Sequence, residues 1–156
     1  LYAWPVQLAA LADADLWQAR RAAVLRWCVS SSYKLDPAVT AGFEQVTGCT
    51  LRQQYGMTET GPLSIDSEAT GTRLPYCVGT PVDGVEIRIL DPHGRVLEVG
   101  QQGRIAIRVK GQWFPPDTPL IDGFWPNGDI GRLDERGRLF LMRRATPFTD
   151  ERADYR

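Results

Sequence analysis

Gln-Tyr-Gly-Met-Thr-Glu-Thr-Gly, at residues 54–61, is the stretch of this sequence that says most about its fold and chemistry. It places an aromatic ring, a flexible glycine, hydroxyl groups and one carboxylate in a turn-prone segment between two predicted elements. This mixture suits a nucleotide, because a ring can lie against a base, hydroxyls can bind phosphate oxygens and a carboxylate can hold a magnesium ion. An ordinary polar loop has the same composition, so the segment alone leaves both interpretations open.

The residues before this segment predict a strand, a helix and a second strand. A short apolar run at Val24–Val29 is typical of a buried strand. Asp36 and Pro37 then form a helix start, with Asp as the N-cap, and Gly48 ends the helix. A short strand at Thr50–Gln53 follows. This order predicts part of a helix-covered, mainly parallel sheet.

The second half of the chain predicts antiparallel β-structure instead. Val85–Ile89 and Ile105–Val109 alternate strictly between apolar and polar residues, and Leu139–Met142 is a shorter apolar run. Between them, Trp113–Pro126 holds four prolines and is predicted to have no regular structure. We therefore expect a small antiparallel β-barrel subdomain, with a sandwich as the alternative architecture.

Composition excludes several classes of partner. The 156 residues are 43% hydrophobic and 24% charged, with a formal net charge of −1. A nucleic-acid groove normally needs a basic surplus, and a membrane-spanning helix needs roughly 20 apolar residues, so neither is predicted. Cys28, Cys49 and Cys77 are an odd number at wide spacing. They form no disulfide framework or metal-binding pattern, which favours a reducing, cytoplasmic setting.

Three further motifs follow the opening stretch in a fixed order. Gly79–Glu86 is a turn that enters a strand, and Asn127–Gly131 is predicted to be a glycine-flanked turn around Asp129. A carboxylate in such a turn can accept hydrogen bonds from a ribose diol, although an aspartate in a turn more commonly caps its own backbone. The pair Arg143 and Arg144 follows the last predicted strand and can be solvated or reach a ribose or phosphate.

In this order and spacing, the four motifs closely resemble those of the AMP-forming adenylating enzymes. That superfamily includes acyl- and aryl-CoA synthetases, peptide-synthetase adenylation domains and firefly luciferase. The resemblance runs from about Trp4 to Arg144, and Met57 is more similar to the CoA-ligase branch. It implies an enzyme that joins a carboxylic acid to ATP, releases pyrophosphate and passes the acyl group from the acyl-adenylate to CoA.

The resemblance also implies roles for individual residues. Thr58 would bind the α-phosphate and Glu59 would hold Mg²⁺, which makes these two the expected catalytic residues. Tyr55 would stack on adenine, Asp129 would bind the ribose hydroxyls, and Arg144 would contact ribose or phosphate near the hinge.

Three more positions are expected to contact the nucleotide. Gly56 and Met57 belong to the same loop as Tyr55. Ser32 lies in the Ser30–Tyr33 stretch, where the family usually has a Ser-Gly-Gly-Ala type sequence that lines the adenine and acyl pockets.

The sequence departs from the family pattern in several places. The glycine-rich phosphate loop and the small C-terminal domain with its catalytic lysine would lie outside this sequence. Arg143 stands where the family usually has aspartate or glycine, and Ala145–Asp150 replaces the lysine-bearing stretch. Tyr33 places a phenol where a small residue is usual, which would shorten the acyl pocket.

We accordingly expect a piece of the large N-terminal domain of an acyl-CoA or aryl-CoA ligase, inactive by itself. Residues 1–64 would end an α/β subdomain, residues 65–142 would form the β-barrel subdomain, and residues 143–156 a degenerate hinge. Its partners would be a small carboxylic acid, ATP, CoA and the remaining segments of the parent enzyme. The alternative is a truncated, non-catalytic homologue that serves as a nucleotide-binding or interaction module.

Overall fold

The computed structural model describes residues 1–13, 25–31, 35–66, 68, 74–112, 114 and 117–144. The chain divides into two compact units, Leu1–Val82 and Asp83–Arg156, and each holds one sheet. The fold is therefore mixed α/β, as the sequence predicts at this coarse level. The subdomain boundary expected after residue 64 stays a prediction. In the described part of the chain, no helix is long and apolar enough to span a membrane.

Among the described residues, the first unit holds a five-stranded sheet and two helices. Its elements in chain order are β1 (Tyr2–Ala3), α1 (Pro5–Asp13), β2 (Cys28–Ser30), α2 (Pro37–Thr47), β3 (Leu51–Met57), β4 (Gly61–Ile65) and β5 (Thr80–Pro81). The strand order is β1-β2-β3-β4-β5. The first three strands pair in parallel, whereas β4 and β5 add antiparallel. The sheet is thus mixed, and parallel pairing is confined to one side of β3.

Helix α2 begins and ends where the sequence predicts. The carboxylate of Asp36 accepts a hydrogen bond from the backbone amide of Ala38 at 2.7 Å, which satisfies one of the unpaired donors at the helix start. Gly48 adopts a left-handed conformation, with φ of 66°, and its amide donates to the carbonyl of Glu44. The helix so delimited buries Phe43 in a core cluster with Leu51 of β3.

The second unit is an antiparallel sheet of four strands. They are β6 (Val85–Leu90), β7 (Gly103–Val109), β8 (Trp125–Leu133) and β9 (Leu139–Arg144), paired in chain order. Within the described residues, β6 and β9 are the two edges of this sheet, so it is an open meander. The antiparallel prediction is confirmed, and the closed barrel is not.

Strand β8 corrects the sequence-based expectation for residues 125–133. Asn127–Gly131 reads as a turn, but the structure places it in the strand between β7 and β9. The turn chemistry is present: Gly128 has a φ of 84°, and the side chain of Asn127 accepts from the amide of Asp129 at 3.1 Å. These features distort the strand locally, while ladder pairing on both sides keeps it extended, so tertiary context overrides local propensity.

The backbone that precedes β5 passes very close to β4 at Gly79. A Cβ added at Gly79 would lie 1.8 Å from the carbonyl oxygen of Ile65, so only glycine fits between these two stretches of backbone. Its φ of 81° is also in the region that favours glycine. Beside it, the hydroxyl of Ser64 donates to the carbonyl of Val78 at 2.9 Å.

The close approach at Gly79 predicts a large destabilisation by Gly79→Ala. Gly48→Ala is the matched control, because Gly48 also has a positive φ but has no atom within 4 Å of an added Cβ. The control should lose about 1–2 kcal/mol of unfolding free energy, the cost of holding a residue with a Cβ in the left-handed backbone conformation. Gly79→Ala should lose clearly more, since backbone must also move. Urea unfolding of both variants measures the difference, and equal losses would contradict the steric argument.

The β8–β9 turn is organised by one carboxylate. Asp134 accepts hydrogen bonds from the amides of Arg136 and Arg138 and from the Arg138 guanidinium, at 3.0, 2.9 and 2.8 Å respectively. Burial by itself would raise the pKa of Asp134. The hydrogen bonds from Arg138 and Arg136 outweigh burial and hold this pKa below its ordinary value of 3.8.

A lowered pKa means that the folded state favours the ionised form of Asp134. Its contribution to the unfolding free energy should therefore be complete above the unfolded pKa and lost as the pH falls through the lower folded value. We expect Asp134→Asn to destabilise the chain at pH 6 and to differ less from wild type below pH 3. Glu135→Gln removes one negative charge from the same turn and is the control. A pH-independent gap between Asp134→Asn and wild type would contradict this prediction.

Candidate functional site

The Tyr55–Glu59 segment is a strand end and a hairpin tip rather than a loop between elements. β3 continues through Met57, and Thr58-Glu59-Thr60 forms the turn before β4 begins at Gly61. The amide of Thr60 donates to the carbonyl of Met57 at 3.2 Å and closes the turn. The hairpin therefore presents Thr58 and Glu59, both exposed, at its tip.

A bulge at Tyr55 and Gly56 sets the geometry of this tip. The register between β3 and β4 shifts between these two residues. A Cβ at Gly56 would lie 2.4 Å from the carbonyl oxygen of Gly61, so the two strands approach too closely there for any side chain. Tyr55 is 7% exposed, so stacking of a base on its ring stays a prediction. Met57 is the last residue of the strand and half-buried.

Buried polar groups gather at the carboxyl ends of the parallel strands. Ser30 of β2 is the register partner of Gln53 of β3, and both are buried. The hydroxyl of Ser30 has no hydrogen-bond partner within the described part of the chain. A buried polar atom without a partner is costly, and ligands of open α/β sheets bind at such strand ends. Ser32, the predicted contact in this stretch, lies outside the described residues.

Gln53 was not predicted as a site residue from the sequence, and Ser30 was included only as the first residue of the Ser30–Tyr33 stretch. A signal was present for Gln53, because Leu51, Gln53 and Tyr55 alternate along β3 and share one buried face. A polar residue at an inward position of a strand implies a partner for its amide. For Ser30 the residue pattern gave no such signal, because a run of serines indicates a strand break, and only the family resemblance of the Ser30–Tyr33 stretch pointed to a pocket.

A cavity of about 300 Å³ opens beside Gln53 within the first unit. One wall is the face of α2 that carries Thr40 and Glu44, and the other is the segment from Leu74 to Cys77. Tyr76 in that segment has a φ of 64°, which is strained for an aromatic residue. The cavity is of the size that takes a small organic group.

The two residues predicted to bind ribose and phosphate are neighbours in the second unit. Asp129 on β8 and Arg144 on β9 are register partners, and the Arg144 Nε lies 4.0 Å from the Asp129 carboxylate. The Asp129 side chain is 14% exposed and that of Arg144 is 77% exposed. The sheet thus brings together a sheltered carboxylate, which can accept from a diol, and an exposed guanidinium, which can reach an anion.

Magnesium fits the hairpin tip as a partly hydrated ion. In the stretches that the structure describes, no group of three or more His, Cys, Asp or Glu side chains converges. Mg²⁺ needs no such protein cage, because it is commonly held by one or two carboxylates with phosphate oxygens and waters as the remaining ligands. The exposed carboxylate of Glu59 is a suitable single protein ligand.

Cys28 is buried and is not a candidate nucleophile. Burial raises the pKa of Cys28 from 9.0 to about 12, and a hydrogen bond with Cys49 adds to this shift. A thiol with so high a pKa is protonated at neutral pH and is a poor nucleophile. Cys28 and Cys49 belong to the same core cluster as Leu51, where they pack as small apolar residues.

Comparison with known proteins identifies the family. The sequence pattern of the AMP-binding enzyme family matches residues 1–113, which is most of the chain. This protein belongs to that family.

Individual relatives agree with this assignment. The long-chain-fatty-acid–CoA ligase of Yersinia pestis is 32% identical over 127 residues, which cover 77% of this chain and 23% of that protein. Human mitochondrial acyl-coenzyme A synthetase ACSM2A is 33% identical over 133 residues, with 78% and 23% covered. Among solved structures, ATP-bound MatB from Rhodopseudomonas palustris has a TM-score of 0.79 at 29% identity, covering 92% of this chain and 30% of MatB. The chain thus spans about a quarter of the curated relatives that it matches.

Proposed function

We propose that this chain is the nucleotide-binding segment of an AMP-forming ligase that activates a carboxylic acid with ATP and transfers it to CoA. The observation that carries this proposal is the β3–β4 hairpin of an AMP-binding family member. Its tip exposes Thr58 and Glu59 directly after the parallel strand that holds Gln53 and Tyr55. The names of the two relatives, both of which join acyl groups to coenzyme A, support the reaction class.

The proposed reaction has two steps. A carboxylate oxygen of the acid attacks the α-phosphorus of ATP, and the bond from that phosphorus to the bridging oxygen of pyrophosphate breaks. The thiol sulfur of CoA then attacks the acyl carbon of the adenylate, AMP leaves, and the thiol proton is released. Mg²⁺ would neutralise phosphate charge in the first step, which is the usual contribution of a metal to phosphoryl chemistry.

Each predicted residue has a role that its position supports. The Thr58 hydroxyl would donate to an α-phosphate oxygen, and the Glu59 carboxylate would hold Mg²⁺ beside it; both are exposed at the hairpin tip. The sheltered carboxylate of Asp129 would accept hydrogen bonds from the ribose hydroxyls. Arg144 would supply positive charge to the ribose-phosphate group, which its exposure allows.

The remaining predicted contacts would line the base. Tyr55 would contact adenine, and the backbone of Gly56 and Met57 would approach it, since Gly56 carries no side chain to obstruct the approach. Ser32 would belong to the same pocket. The unpartnered hydroxyl of Ser30 and the buried amide of Gln53 at the neighbouring strand ends support a polar group of a ligand there.

The activity of a whole ligase would also need segments that correspond to the unmatched three quarters of the relatives' length. We therefore propose that the 156 residues bind ATP or AMP weakly and form no acyl-adenylate alone. A non-catalytic nucleotide-binding or interaction module is the second candidate. It is favoured by Arg143, which departs from the family pattern beside Arg144.

The ribose role of Asp129 is tested by nucleotide binding to this chain. Asp129→Ala should weaken ATP binding by roughly 1–3 kcal/mol, the range for loss of a charged hydrogen-bond partner. A 3′-deoxy analogue of ATP should lose less affinity for the variant than for the wild type. Asp117→Ala, an exposed position in the same unit, is the control. Calorimetry measures all three proteins, and an equal deoxy penalty in each would mean that Asp129 only shapes its strand.

The catalytic role of Glu59 is tested by grafting. This chain would replace the matching segment of the Yersinia pestis ligase, and fatty-acid-dependent pyrophosphate exchange would be measured at saturating Mg²⁺. We expect exchange by the chimera and at least about a tenfold loss on Glu59→Gln, because an amide binds Mg²⁺ far less well than a carboxylate. Glu135→Gln is the control at an exposed turn. A folded chimera without exchange would favour the non-catalytic module, and a fully active Glu59→Gln chimera would remove Glu59 from the mechanism.

A further inference from the structure

One face of the four-stranded sheet concentrates arginines. Cross-strand register places Arg88 opposite Ala106 and Arg104 opposite both Leu90 and Ile130. Since side chains alternate along a strand, these residues share a face. The same alternation adds Arg108 on β7 and Arg132 on β8 to this arginine face. Arg143 on β9, the register partner of Ile130, also belongs to it. Five guanidinium groups thus lie on one side of a sheet in a chain whose formal net charge is −1.

Aromatic rings hold three of these guanidinium groups in place. The Cζ atoms of Arg88 and Arg108 lie 4.0 and 4.5 Å from the ring centroid of Phe124, which is almost fully buried. The Cζ of Arg132 lies 3.9 Å from the ring centroid of Phe140. Stacking against a ring restricts a guanidinium and leaves its N–H groups directed outward in the plane. The arginines are therefore ordered before any partner binds.

Among the described residues, an acid neutralises one of the three stacked arginines. Arg108 forms two hydrogen bonds with the carboxylate of Glu86, at 3.0 and 2.5 Å. For Arg88 and Arg132, the structure records ring contacts and no hydrogen bond or ion pair within the described residues. Their exposed fractions are intermediate, so solvent and partners can reach them. Two ordered positive charges are thus available to an external anion.

We propose that the arginine face docks an acidic protein segment. Arg88 on β6 is level with Ala106 of β7, whereas Arg132 on β8 lies one residue past Gly131, the partner of Gly103. The two arginines are therefore two strands and about four residues apart, roughly 16 Å between their Cα atoms. One phosphate or carboxylate is too small to bridge this distance. Acidic side chains three turns apart on a helix are separated by about 16 Å and match it. The negative net charge of the chain opposes a long polyanion such as nucleic acid, whereas a short acidic segment needs only a local positive surface.

The test is binding of a fluorescein-labelled helical peptide that carries glutamates three turns apart. Fluorescence anisotropy with the 156-residue chain should show saturable binding that weakens as salt is raised, because exposed charges are screened. The variant Arg88→Gln/Arg132→Gln should bind at least about tenfold more weakly than wild type. Arg95→Gln/Arg136→Gln removes two exposed turn arginines and is the charge-matched control, for which we expect a change of less than about twofold.

Further variants and ligands distinguish the proposal from alternative explanations. Arg88→Lys/Arg132→Lys keeps the charges and should lose less affinity than the glutamine variant, and circular dichroism checks that each variant folds. Equal losses in the arginine-face and turn variants would overturn the proposal, because attraction would then follow net charge alone. No binding of the peptide, or binding of pyrophosphate or phosphatidylserine vesicles through the same arginines in its place, would also overturn it. None of these results depends on adenylation.

Discussion

Strand β3 is the element on which the first unit depends, because it pairs in parallel on one side and antiparallel on the other. Its parallel register with β2 places Leu51 beside Cys28 in the core that the helices pack against. The same alternation directs Gln53 and Tyr55 to the buried face farther along the strand. Core packing at one end of β3 therefore fixes the position of the polar residues at the other.

Two glycines then determine the path of the backbone around this strand. At Gly56 the hairpin strands are so close that a Cβ would meet backbone, and at Gly79 the returning chain meets β4 in the same way. Neither contact adds attraction, but each excludes every other side chain and so defines one path for the backbone. Thr58 and Glu59 are positioned at the hairpin tip by these exclusions, since their own side chains are exposed and contribute little packing.

Features encoded by local chemistry could be predicted from the sequence, and features encoded by pairing could not. Asp36 and Gly48 delimit α2 because a cap acts through neighbouring backbone groups. Residues 85–89 and 105–109 form strands because strict alternation is a local pattern. Strand β8 was missed because Asn127 and Gly128 do form turn-like contacts, and only the strands on either side keep the segment extended.

The candidate site also has a part that the sequence predicts locally and a part that depends on strand pairing. The composition of Tyr55–Glu59 predicts a nucleotide-binding segment. Nothing local indicates that Gln53 lies beside Ser30, because that neighbourhood requires the β2–β3 register. In the second unit, strand alternation also explains how one sheet can carry two separate groups of charges. Asp129 precedes Ile130 along β8 and is directed away from the face that Ile130 shares with Arg104. The Asp129–Arg144 pair and the arginine face therefore lie on opposite sides of the sheet, so a partner on one side contacts only one of the two groups.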